Sequence, residues 1–140
     1  MNMTSRQISA AYRAILELSN IVLPYAPSRR VMALKKRLEA ENDTVVAMER
    51  NLVEEYGGEI HSGGQCDFSD TDTAQRFREA LDEARDQADD IKLPTVDLSK
   101  YTNLIRISPA AIEALEGIVI FEKEPDWKRL ETMCAGEADC

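Results

Sequence analysis

The stretch 28–56 contains neither proline nor glycine, and its seam side chains fall at alternating steps of three and four. Val31, Leu34, Leu38, Glu41, Val45, Met48, Leu52 and Glu55 trace that seam, the spacing that brings one stripe of a helix against a partner helix. Ser28 is a good N-cap, and Gly57-Gly58 stops the pattern where a helix needs residues that accept a left-handed backbone. The run predicts a rod of about 42 Å. A helix in a protein draws most of its stability from cover over its apolar stripe, which the rest of the chain or a neighbouring copy supplies. Glu41 interrupts the stripe. It must pair with a cation, reach solvent, or mark where the partner helix ends.

The best cover is a second helix over 71–91. Ala74, Phe77, Leu81, Ala84, Ala88 and Ile91 repeat at the same spacing, behind capping acids at Asp70 and Asp72. Small side chains allow close approach, so the two helices are expected to pack antiparallel. Between them, Ile60 and Phe68 flank Ser62-Gly63-Gly64, which reads as a short β-hairpin or an ordered loop. Ahead of the rod, Thr4-x-x-Gln7 is a capping box for a helix over 4–19, and Pro24 and Pro27 break the connector that follows. Beyond Pro94, Val96 with Leu98 and Leu104 with Ile107 suggest two short strands. Ser108-Pro109 then starts a helix that Gly117 either ends or interrupts. The expected fold is mainly α: a long antiparallel helical hairpin with a short N-terminal helix and a small α+β C-terminal portion. Residues 1–121 form one domain in this reading. Residues 122–140 form an acidic tail, held down by Trp127 and Leu130.

Charge narrows the function classes. The 140-residue chain carries a net charge of −9. Residues 1–58 hold 8 basic and 7 acidic side chains, and residues 59–140 hold 9 and 19, so the whole excess lies beyond Gly57-Gly58. Such a surface repels nucleic acid and anionic membranes. It serves solubility, or it meets a basic partner protein. Glu79, Asp82, Glu83, Asp86, Asp89 and Asp90 are the partner-binding candidates, on the face opposite the second seam. The exception is Arg29, Arg30, Lys35, Lys36 and Arg37, near a helix start. Arg29, Arg30 and Lys36 are anion-binding candidates there, and the alternative is a solvated basic face. The longest apolar run, Gly117 to Phe121, is too short to span a bilayer, and no signal peptide is evident. Three cysteines (66, 134 and 140) cannot close a paired framework and fit a reducing, cytoplasmic setting.

Catalytic constellations are not apparent. His61 is the one histidine, and His61-x4-Cys66 is no zinc spacing. The acids from Asp67 to Asp72 lack the turn glycine and downstream Glu of a calcium loop. Glycine-rich phosphate loops, nucleophile elbows and zinc-protease motifs are missing as well. The expectation is a protein without enzymatic activity, metal or cofactor.

The order of a capped helix, the Leu23-Pro24 connector, a charged helix ending in Glu54-Glu55-Tyr56-Gly57, a second amphipathic helix, and then Ile105-Arg106-Ile107-Ser108-Pro109 running on to Leu115-Glu116 resembles a family of short phage and prophage proteins without an assigned activity. The likeness covers residues 4–121, and the tail from Glu122 departs from it. The resemblance implies a viral or prophage origin and action inside bacteria, and it carries over no site residues. Three functions fit this reading. One is binding of a bacterial host protein, as a counter-defence inhibitor would bind. The second is a virion or assembly component that self-associates through helix 28–56. The third is a sponge for an anionic nucleotide at Arg29, Arg30 and Lys36.

Overall fold

A computed structural model describes residues 1–63 and 65–122 of the chain. The C-terminal segment with Trp127, Leu130, Cys134 and Cys140 lies outside the described residues. The fold is mainly helical, as the sequence predicts. In chain order the elements are β1 (Asn2–Thr4), α1 (Ser5–Ser19), α2 (Tyr25–Glu55), β2 (Glu59–Ile60), β3 (Cys66–Asp67), α3 (Thr71–Asp86), β4 (Ala88–Asp90), β5 (Val96–Asp97), a 3₁₀ turn (Ser99–Leu104), α4 (Pro109–Ala114) and β6 (Val119–Ile120).

The long helix α2 is a spine with two covers laid end to end. Helix α1 runs back along its first half, and Ser9 Oγ donates to Asn42 Oδ1 at 3.0 Å. Helix α3 runs back along its second half, with Phe77 against Tyr56 and Arg85 paired to Glu49 at 2.8 Å. Both are antiparallel to α2, so α3 forms the expected hairpin with the distal half of the spine. The proximal half is covered by α1, and its core is the denser one. Ala11, Ile15 and Leu18 of α1 and Leu34 and Leu38 of α2 are wholly removed from solvent. Glu41 is resolved by pairing: Arg37 reaches it from one turn back at 2.9 Å, with Glu41 half-buried.

Both ends of α2 follow from backbone hydrogen bonding. The helix begins at Tyr25, three residues ahead of the predicted Ser28, with Pro24 at the cap and Pro27 inside the first turn. Pro27 is harmless there, because the first helical N–H groups have no partner within the helix. Ser28 is the first donor instead, to the Pro24 carbonyl at 3.0 Å. At the other end the N–H of Gly58 reaches the Val53 carbonyl at 2.9 Å and that of Gly57 reaches Glu54 at 3.0 Å, with Gly57 at φ 70°. This paired closure requires the left-handed backbone that glycine takes without strain. Gly58 has a different reason: a Cβ there would stand 2.6 Å from Phe68 Cε1. Phe68 and Phe77 pack with ring centroids 4.7 Å apart, so β2 and β3, which pair antiparallel, close a small aromatic cluster at the tip.

Helix α3 stops at Asp86, five residues short of the predicted Ile91. Gln87 turns extended at ψ 131°, and Ala88–Asp90 pair antiparallel with β1 in the register Asn2↔Asp90, Met3↔Asp89 and Thr4↔Ala88. That ladder, rather than a further helical turn, satisfies the backbone of Ala88–Asp90. Ile91 is buried in the main core all the same, as the residue just past β4, while Ala88 is exposed. The second predicted strand, Leu104 to Ile107, does not form. The chain there leaves the 3₁₀ turn and runs on to Ser108 unpaired. Strand β5 instead pairs in parallel with β6, which the apolar run 117–121 supplies, and α4 lies in the crossover between them. Helix α4 ends before Gly117, which sits at φ 83°. Ser108 caps α4 and is gripped by the Glu17 carboxylate of α1, through its N–H at 2.7 Å and its hydroxyl at 3.1 Å.

Two substitutions test this packing by urea unfolding followed by far-ultraviolet circular dichroism. Leu38→Ala opens a void in the proximal core and should lower stability by about 3 kcal/mol. Gly58→Ala drives a methyl into Phe68 and should cost about 1–3 kcal/mol. An unchanged midpoint in either variant contradicts the corresponding contact.

Candidate interaction surfaces

The six acids singled out in the sequence are all exposed, but they do not share one helix face. Glu79, Asp82, Glu83 and Asp86 lie on α3, at the three- and four-residue steps that align side chains along a helix. Asp89 and Asp90 lie on β4, a consequence of the early stop of α3. Their partners divide them again. Arg6 of α1 bridges Asp82 from Nη2 at 2.9 Å and Asp86 from Nε at 3.0 Å. The hydrogen bond that Arg6 donates to Asp86, then the charge of Asp86 and the contacts with Asp82, hold the Arg6 guanidinium above its usual pKa. Asp90 takes the Met1 amino group at 2.9 Å. These three acids therefore fasten α3 and β4 to the N-terminal segment. Glu83 and Asp89 face solvent without an ion pair among the described residues. Glu79 accepts only a long hydrogen bond, 3.4 Å, from Gln75 Nε2.

The basic candidates sit differently from the expectation. Arg29, Arg30 and Lys36 are exposed on α2 and form no ion pair among the described residues. Since α2 starts at Tyr25, Arg29 and Arg30 lie past the first turn, away from the free N–H groups that were to help hold an anion. Pro27 also removes one of those donors. Arg29 and Arg30 instead border a shallow depression with Tyr25 and Ala33. Tyr25 is 79% exposed and Val22 beside it 90%.

Around the hairpin, His61 Nε2 and Asp67 Oδ2 lie 2.7 Å apart across the β2–β3 ladder. Asp70 accepts from the Thr73 N–H at 2.6 Å as the N-cap of α3, and this bond draws its carboxyl below the usual range. Among the described residues, no group of three or more His, Cys, Asp or Glu side chains is arranged to hold a metal ion. No helix among them is long and apolar enough to cross a membrane.

Sequence reading missed one arrangement. A groove where α1, α2 and α3 meet is lined by Ser5, Arg6, Ser9, Arg13, Glu49 and Arg85. Its residues come from three distant stretches, and two of its three arginines are engaged by carboxylates, Arg6 by Asp82 and Asp86 and Arg85 by Glu49. The one signal in the sequence is the seven-residue step from Arg6 to Arg13, which puts both on one side of α1. Comparisons of the chain with protein-family models, with curated proteins and with solved structures give no match.

The Asp70 cap sets a direction for acid sensitivity. Its carboxyl titrates lower in the folded chain than in the unfolded one, so its contribution is complete above the ordinary carboxyl range and is lost as pH falls through the folded value. Thermal melts from pH 6 to pH 2 should show wild type losing more stability below about pH 4 than Asp70→Asn, which keeps a capping oxygen without the charge. Parallel pH profiles contradict this.

Proposed function

We propose that the chain is a non-enzymatic, phage-type protein that acts by binding a basic bacterial host protein through the outward acids of α3 and β4, as a counter-defence inhibitor would. The supporting observation is the division among the six acids. Asp82, Asp86 and Asp90 are consumed by internal cations, while Glu83 and Asp89 stand exposed without an ion pair among the described residues, and Glu79 stands exposed beside them. Carboxylates held on a braced helix and strand present a fixed pattern of negative charge. Such a pattern speeds encounter with a positive surface and fixes its orientation. The helix that carries them is anchored at both ends, by the aromatic cluster at Phe77 and by Arg6 near its last turn.

This division says which acids to change. Reversing Glu79, Glu83 and Asp89 to Lys leaves the Arg6 bridges intact, so the fold should persist with an unchanged circular dichroism spectrum. Partner capture from a bacterial lysate, quantified at low and moderate salt, should fall by at least about tenfold at low salt and lose most of its salt dependence. Undiminished capture by the triple variant excludes this face.

A further inference from the structure

The buried face of α2 is spent inside the chain: Leu34 and Leu38 of the predicted seam are wholly covered and Val31 and Val45 nearly so, while in the distal half Val53 is buried, Met48 and Leu52 are half-buried and Glu55 is exposed. The opposite face of the same helix is open along its whole length. It is also polarised. Among the described residues, its exposed charges outside internal ion pairs are Arg29, Arg30 and Lys36 in residues 25–38, and Glu39, Asp43, Glu54 and Glu55 against one cation, Arg50, in residues 39–55. A rod that is positive in one half and negative in the other repels a parallel copy and attracts an antiparallel one, because a two-fold axis sets each positive half against a negative half. We infer that the outer face of α2 is the interface of a two-fold symmetric dimer, formed with an antiparallel second copy of this chain.

The geometry of the face suits that occupant. Ala26, Ala33, Ala40 and Ala47 recur every seven residues, all exposed, on the side away from Leu38. Methyl side chains let two helix axes approach to the short end of the usual 8–10 Å range. Centring the dyad on Ala40 sets Ala33 opposite the second copy's Ala47. It sets Lys36 beside the second copy's Asp43, and it does so twice. Met32 and Val46, 44% and 39% exposed, lie on one flank of the stripe and come together across the dyad. Arg29 meets the second copy's Arg50 in the same register in which Lys36 meets Asp43, with Glu54 one turn away, so the ends of the contact oppose it and its centre carries it. This interface is independent of the partner read from α3, since that helix lies on the covered side of the spine.

Sedimentation equilibrium of the full chain should show a reversible dimer. Ala40→Glu, at an exposed helical position, should stay folded by circular dichroism and sediment as a monomer. Lys36→Glu and Asp43→Lys should each weaken the dimer at least about tenfold. Mixing those two variants should restore association, because each supplies the charge the other lacks, and the double variant should dimerise by itself. A wild-type monomer at every concentration overturns the inference. So does a dimer indifferent to Ala40→Glu, and so does a mixture of the two charge variants that remains monomeric.

Discussion

The contact of Ile15 and Leu18 with Leu34 and Leu38 holds the rest of the structure in place. A 31-residue helix does not stand alone in water, and this contact is where α2 first gains enough apolar cover to persist. Everything else is built onto it. The Glu17 carboxylate, projecting from α1, captures the start of α4 through Ser108. The β5–β6 pair then brings Val96, Leu98, Ile118 and Val119 against the same core.

The distal half is built on a different principle. Phe77 and Val53 are its only deeply buried apolar side chains among the described residues, and the main core does not extend to them. Directional contacts take over there: the tilted ring pair of Phe68 and Phe77, the Arg85–Glu49 pair, and the Arg6 bridges to Asp82 and Asp86. Exposed ion pairs contribute little stability each, but several that share one arginine fix an orientation. The carboxylates that remain outside this fastening, Glu79, Glu83 and Asp89, are the ones through which we propose that a partner is bound.

Helix identity was legible where local rules and packing agree. The Thr4–Gln7 box forms with both its hydrogen bonds, at 3.2 and 2.9 Å, and Gly57-Gly58 closes α2 as its composition implies. The tail end of α3 was not legible. Ala88 and Ile91 continue its spacing by coincidence, and the chain beyond Asp86 pairs instead with β1, which lies more than eighty residues away in sequence. The start of α2 was misplaced because Pro27 reads as a breaker, although in a first turn its missing donor costs nothing. The candidate acids were identified as a group, but their division into fasteners and free charges depends on Arg6 and the Met1 amine. No pattern within 71–91 carries that information.

The two covers of the spine also differ in how they are tied into the chain. Helix α1 joins α2 through a five-residue link, and its buried face is continuous with the main core. Helix α3 contributes no side chain to that core among the described residues, and Arg6 ties its last turn to α1. Backbone amides in α3 and in the β2–β3 ladder can therefore exchange with solvent through a local opening that leaves α1, α4 and the proximal spine intact. The molecule therefore divides into a base sealed by the main core and an arm held by few buried side chains and by directional contacts, and that arm carries Glu79 and Glu83 while Asp89 lies on β4 beside β1.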